Sequence, residues 1–141
     1  MVKVRVMTVN DWDGVNECWK EHEGTNPVDD SPEGFVRYLG RNPATSFVAE
    51  ENGRIIGTIL AGHDGRRGIF HHVVVAPDHR GQGIGRMLVE SAMEALRKEG
   101  IQKSCWWCSH TTKTEISSGS IWALPYARIF STGINTSKYS Q

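Results

Sequence analysis

The chain has 141 residues, which is long enough for a hydrophobic core, and we expect residues 1–141 to form a single domain. Its 16 basic and 16 acidic residues cancel, so the charge gives no reason to expect a nucleic-acid or anionic-membrane partner. No apolar run approaches the length of a membrane span, no signal-peptide core is evident, and an odd number of cysteines argues against a disulfide framework, so we expect a cytoplasmic protein.

A strand and two helices are predicted in the first forty residues. Valines alternate with basic residues over positions 2–6, which indicates a strand with one buried face. Asn10 is the expected cap of a helix that stops near Gly24, and Ser31-Pro32 is a typical start for a second helix ending at Gly40. The buried sides of these helices should carry Trp12, Val15, Trp19, Phe35, Tyr38 and Leu39.

An antiparallel meander and a long helix are predicted next. Asn52-Gly53 favours a type I′ hairpin turn, and Asp64-Gly65 predicts the turn into a third strand, which ends in three valines. Apolar residues at helical spacing after Ile84 predict a helix that Gly100 closes. Its core face should carry Ile84, Leu88, Ala92, Ala95 and Leu96. This order predicts a mixed α/β fold, with a mostly antiparallel central sheet and flanking helices.

The junction between the last predicted strand and this helix is rich in glycine. The valine strand runs into Arg80-Gly81-Gln82-Gly83-Ile84-Gly85-Arg86. Backbone N–H groups at a helix start lack partners within the helix, and glycines let a ligand approach them, so the turn predicts an anion site suited to a phosphate. The spacing fits neither a Walker loop nor a dinucleotide fingerprint, because no Lys-Ser or Lys-Thr follows and Arg86 replaces the third glycine. A turn that only joins a strand to a helix is the alternative.

The motif Arg80-x-x-Gly83-x-Gly85, after Val73–Pro77, resembles the acetyl-CoA signature of the GNAT superfamily of N-acetyltransferases, [Q/R]-x-x-G-x-[G/A]. The element order from Met1 to about Lys103 resembles that of the family as well. The resemblance implies a GNAT-like fold and acetyl-CoA as co-substrate, with no metal. It also implies the residues that bind the co-substrate: Val73, Val74, Val75, Arg80, Gly81, Gln82, Gly83, Ile84, Gly85 and Arg86.

The resemblance further implies how these residues act. Backbone N–H groups of the glycine turn would hold the pyrophosphate, and Val73–Val75 would pair with the pantetheine arm. A backbone N–H in that strand would polarise the thioester carbonyl. A primary amine of a small molecule or a protein would then attack the thioester directly. The amine must be neutral to do so, which requires a base or a water chain.

No residue identifies itself as that base, and several candidates stay open. His71 and His72 have suitable side chains, but the period of a strand should send them to opposite faces, so at most one should meet substrate. One packed and one solvated histidine is the favoured alternative. The acidic loop that covers the acceptor site in this family could attract a cationic amine, although we favour a solvated loop; it contains Glu21, His22, Glu23, Asp29 and Asp30. We expect Trp12 and Trp19 in the core.

Cys105 and Cys108 form a C-x-x-C with His110 two residues beyond. A redox C-x-x-C needs its first cysteine at a helix start, and no helical pattern follows. A structural zinc needs four ligands, and Cys18 is the only other cysteine. A metal or redox protein is therefore the least favoured interpretation.

The tail, residues 104–141, lacks the pattern of folded sequence, and the strand, loop and helix expected of the family are not legible in it. Joining the third base of each codon to the first two of the next forces Leu-Val-Val from residues 105–108 and Gly from Trp122-Ala123. We hypothesise that the tail is a frameshifted product, in which the C-x-x-C is the out-of-frame translation of codons for Leu-Val-Val. The sequence after Lys103 is still apolar enough to pair as a strand. In the family, the helix in this region often supplies a Tyr that protonates the leaving thiolate. Tyr126 and Tyr139 do not lie in a matching motif, so neither is assigned that role.

A damaged tail has two further consequences. A missing last hairpin would expose apolar surface, which favours aggregation or a homo-oligomer. Activity would be impaired, and the alternative function is a non-catalytic acyl-CoA-binding protein, either a sensor or an inactive paralogue.

Overall fold

The computed structural model describes residues 1–20, 27–106 and 114–117. Within them the chain forms three α-helices, α1 (Trp12–Trp19), α2 (Pro32–Arg41) and α3 (Ile84–Lys98). It also forms six strands: β1 (Lys3–Val6), β2 (Phe47–Glu51), β3 (Arg54–His63), β4 (Gly68–Val75), β5 (Lys103–Trp106) and β6 (Thr114–Ser117). The predicted order of strand, two helices, three strands and helix is confirmed.

The strands form one sheet in the order β1-β2-β3-β4-β5-β6. All neighbours are antiparallel except β4 and β5, which run parallel. The mixed α/β fold with a mostly antiparallel sheet is therefore confirmed. The pairing of β5 with β4 also confirms that the sequence after Lys103 can join the sheet.

β4 has a partner strand on each side. On one side Gly68–Phe70 pair with β5, and the last of the described pairs joins Phe70 to Trp106. On the other side β3 pairs along the length of β4, from His63 opposite Gly68 to Gly57 opposite Val75.

Helices cover both faces of the sheet. The core on one face is built on α3 and includes its side chains Ile84, Leu88, Val89, Ala92, Met93 and Leu96. The core on the other face is built on α1 and α2, with Val15, Trp19, Phe35 and Leu39. Trp12 packs against this second core and Trp19 lies within it, as predicted. Ala95 is only half-buried.

The start of the second helix is confirmed, and that of the first is not. The Ser31 hydroxyl accepts a hydrogen bond from the Gly34 N–H at 3.1 Å, which caps α2. Asn10 caps no helix, because a 3-10 turn, Val9–Asp11, precedes α1. The carboxylate of Asp11 accepts the Thr8 N–H at 2.8 Å and closes that turn instead.

Both predicted hairpin turns form. Asn52 and Gly53 have φ angles of 52° and 78°, as a type I′ turn requires. Gly65 has φ 93°, and the Asp64 carboxylate accepts the N–H groups of Arg66 and Arg67. The helix α2 runs one residue beyond the predicted Gly40.

In the described part of the chain, none of the helices has both the length and the apolar character needed to cross a membrane.

Candidate functional site

The glycine turn between β4 and α3 leaves a helix start open to a ligand. Gly81 and Gly83 have φ angles of 80° and 77°, a conformation that favours glycine. No side chain caps the start of α3, which Gly83 precedes. A Cβ atom at either glycine would meet no atom within 4 Å, so the space above the turn is open. These features fit a phosphate-binding turn.

The remaining predicted co-substrate residues divide between the surface and the core. Arg80 is exposed, and its Nε donates to the Val75 carbonyl at 3.2 Å, which fastens it to the end of β4. Arg86 pairs with Glu90 at 3.0 Å on the surface of α3. Gln82 is exposed, whereas Ile84 is buried in the core, so only its backbone can face a ligand. Val73–Val75 are also buried.

A charged cluster that the sequence reading missed anchors the turn. His79 Nε2 lies 2.6 Å from Glu51 Oε2 on β2, and its Nδ1 lies 3.0 Å from Asp78 Oδ1, although without hydrogen-bond alignment. Asp78 in turn bonds Arg54 at 2.9 Å. The contacts with Asp78 and then Glu51 raise the pKa of His79. The bond to Arg54, followed by that to His79, lowers the pKa of Asp78 to about 2.

The prediction that His71 and His72 face opposite sides of the sheet is wrong. His72 has a φ of 45°, and the register between β3 and β4 shifts at this point. The extra residue is a β-bulge, which breaks the period of two. His71 contacts Tyr38 of α2 and His72 contacts Trp19 of α1, so both rings face the α1–α2 side.

His72 is held on several sides. Its Nε2 lies 2.8 Å from Asp30 Oδ1, and its ring centroid is 4.5 Å from that of Trp19. The Thr58 hydroxyl donates to the His72 carbonyl at 2.9 Å and accepts the Trp19 indole N–H at 2.8 Å. Asp30 is therefore not a solvated loop residue, and the expectation of one packed and one solvated histidine is wrong as well.

The surroundings of His71 differ from those of His72. Its ring meets the Tyr38 ring edge-on, with centroids 6.0 Å apart. Burial, followed by the neighbouring His72 charge, lowers the pKa of His71. Asp29 is exposed, in line with a solvated loop.

A cleft of about 790 Å³ opens on the α1 side of the strand end. Ile55 and Val74 contribute apolar surface to it, and Arg80 lines it. It leaves the end of β4 accessible where the turn begins.

Several predicted residues lie outside the described residues. Glu21, His22 and Glu23 of the acidic loop are among them. So are Cys108 and His110 of the C-x-x-C segment, and Tyr126 and Tyr139.

Comparison with known proteins places this geometry in a family. The family model described as "Acetyltransferase (GNAT) family" matches residues 12–118. An acetyltransferase of Pectobacterium atrosepticum is 31% identical over 102 residues, which is 72% of this chain and 72% of the relative.

Solved structures agree with this match. The diaminobutyrate acetyltransferase of Paenibacillus lautus, in complex with L-2,4-diaminobutyric acid and coenzyme A, has a TM-score of 0.62 at 25% identity, over 75% of this chain and 64% of that one. A GNAT family acetyltransferase from Brucella melitensis, in complex with acetyl-CoA, has a TM-score of 0.62 at 19% identity, over 84% and 89% of the two chains. This chain, with its glycine turn at the start of α3, belongs to the GNAT family of acetyltransferases.

Proposed function

We propose that the chain is an acetyl-CoA-dependent N-acetyltransferase that acts in the cytoplasm on a primary amine of a small molecule or a protein. The observation that carries the proposal is the open glycine turn at the start of α3, where no side chain caps the helix and an added Cβ at Gly81 or Gly83 would meet no atom within 4 Å. Such a turn fits a pyrophosphate.

The residues present fit the co-substrate. Backbone N–H groups from Gly81 to Arg86 would hold the pyrophosphate, with Arg80 close by at the strand end. The Val73–Val75 backbone would pair with the pantetheine arm, and an N–H there would polarise the thioester carbonyl. Acetyl-CoA supplies an acetyl group activated as a thioester.

The α1–α2 side supports an amine as the acceptor. Asp30 lies in the segment before α2, and its carboxylate contacts His72 at the middle of β4. There it would favour a cationic group. The Paenibacillus relative was solved with a diamino acid, which carries such amines.

Turnover tests the proposal against the non-catalytic alternative. The full chain is mixed with acetyl-CoA and a panel of diamines, amino acids and peptides, and free thiol is measured over time. Amine-dependent thiol release, with the acetylated amine found by mass spectrometry, supports an N-acetyltransferase. Acetyl-CoA binding without transfer to any amine supports a binding protein instead.

A further inference from the structure

His72 lies at the β-bulge in the middle of β4. Before it His71 pairs with Leu60 of β3, and after it Val74 pairs with Thr58 of β3. If the pantetheine arm lies along Val73–Val75, the reacting end of the co-substrate reaches the level of His72. The bulge turns this side chain toward α1 and α2, where an acceptor amine would approach.

The backbone of His72 is in a conformation that few residues other than glycine adopt. Its φ of 45° is held by the Thr58 hydroxyl bond to its carbonyl, and Thr58 is fully buried. Such a conformation is strained and persists where the surrounding structure fixes it, often at functional sites. Here it brings a second histidine to the α1–α2 side.

The contact with Asp30 sets the proton on the ring. A carboxylate only accepts hydrogen bonds, so a neutral His72 must carry its proton on Nε2, 2.8 Å from Asp30 Oδ1. The lone pair is then on Nδ1. Asp30 also stabilises the imidazolium that forms when Nδ1 takes a second proton, as the carboxylate does in a catalytic triad.

The position of Asp30 is itself fixed by close packing. A Cβ atom on Gly34, in the first turn of α2, would lie 2.2 Å from the carbonyl oxygen of Asp29. The absence of that atom lets the segment before α2 pack against the helix. The pair is largely shielded from solvent, because the side chains of His72 and Asp30 are only 13% and 11% exposed.

We propose that His72, oriented by Asp30, is the base that accepts the proton of the acceptor amine, directly or through one water molecule. This proposal rests on the proposed acetyl transfer. The acceptor ammonium gives one proton to Nδ1, its nitrogen lone pair forms the new C–N bond as the thioester C–S bond breaks, and its second proton leaves with the thiolate. His72 then returns its proton to solvent, which completes the balance.

Other titratable groups surround this pair. Asp29 lies in the segment before α2, His71 is adjacent on β4, and Tyr38 of α2 contacts His71. Burial, followed by the charge of His72, lowers the pKa of His71. Glu21, His22 and Glu23 of the α1–α2 connection lie outside the described residues.

Kinetics of two neighbouring variants test the proposal. His72→Asn removes the titrating ring and keeps a residue that tolerates positive φ, and His71→Asn is the matched control. At neutral pH we expect kcat/KM of His72→Asn to fall by about 10²–10⁴-fold, the usual contribution of a general base. The loss should shrink at high pH, where the amine loses its own proton, and His71→Asn should keep the pH profile of the unaltered chain. Equal profiles for His72→Asn and the unaltered chain would overturn the proposal.

A spectroscopic measurement tests the same claim without turnover. Nitrogen NMR of the imidazoles in the full chain should show His72 protonated on Nε2 in its neutral form, and Asp30→Asn should change that tautomer population. A neutral ring protonated on Nδ1 would overturn the assignment, because Nδ1 could not then accept a proton.

Binding and turnover separate the two proposals. His72→Asn should bind acetyl-CoA as the unaltered chain does. Failure of the unaltered chain to bind acetyl-CoA, or to acetylate any amine, contradicts the proposed function and the role of His72 with it. Normal turnover in His72→Asn contradicts only the role of His72.

Discussion

At the scale of single residues, two histidines pair with carboxylates that are distant in sequence. His72 meets Asp30 across 42 residues, and His79 meets Glu51 across 28. The first pair orients a ring at the middle of β4. The second ties the start of the glycine turn to β2.

The His79 pair has a definite pH dependence. Because the folded state raises the pKa of His79, its contribution to stability is complete below the unfolded value of about 6.5 and is lost as pH rises through the folded value. Glu51→Gln should therefore lower the midpoint of the His79 titration, followed by NMR of its ring protons. Glu99→Gln, which removes the carboxylate beside His63, is the matched control and should leave the His79 midpoint unchanged. An unchanged midpoint in Glu51→Gln would contradict the pairing.

At the scale of secondary structure elements, the contact between β4 and β5 decides whether the atypical end of the chain is part of the sheet. Gly68 of β4 pairs with Ser104 of β5. A Cβ atom on Gly68 would lie 2.5 Å from Ser104 Oγ and 2.8 Å from Leu96 Cδ1. The two strands and α3 therefore meet here with no space for one more methyl group.

Replacing that glycine tests the contact. Gly68→Ala should lower the free energy of unfolding by about 1–3 kcal/mol, the usual cost of overpacking. Gly40→Ala is the matched control: an added Cβ there meets no atom within 4 Å on α2, and alanine should stabilise the helix by about 0.5–1 kcal/mol. Urea unfolding measures both changes. A neutral Gly68→Ala would mean that β5 does not pack against β4 as described.

Local signals made most of these elements predictable from the sequence. Asn52-Gly53, the Ser31 cap and the glycine turn each specify their structure within a few residues. The bulge at His72 could not be predicted, because an unbroken run of strand-forming residues shows no sign of an added residue. The Asp30 and Glu51 partners were missed because only the fold brings them to their histidines. The prediction of Asn10 as the cap is wrong because Thr8 and Asp11, three residues apart, form a capping box that starts the 3-10 turn first.

At the scale of the whole molecule, the family resemblance and the atypical tail point in different directions. The family model extends to residue 118, and β5 and β6 both join the sheet. The tail nonetheless lacks a legible family pattern, and the frameshift hypothesis stays a prediction, as do the single domain and the homo-oligomer.

The coding DNA tests the frameshift hypothesis. Read in the shifted frame after about codon 103, it should continue without a stop through Leu-Val-Val and the following helix, whereas the third frame should show no such pattern. A protein made from the restored frame should unfold at a higher urea concentration, because the family strand and helix would complete the core. An early stop codon in the shifted frame would refute the hypothesis.

The central claim is that the glycine turn before α3 binds the pyrophosphate of acetyl-CoA, and calorimetry of the full chain tests it most directly. Gly83→Glu places a side chain and a negative charge over the turn. Gly65→Glu makes the same change at another glycine with positive φ, in the β3–β4 turn. We predict that the unaltered chain and Gly65→Glu bind acetyl-CoA and that Gly83→Glu does not. Equal binding by both folded variants, or no binding by the folded unaltered chain, would contradict the claim.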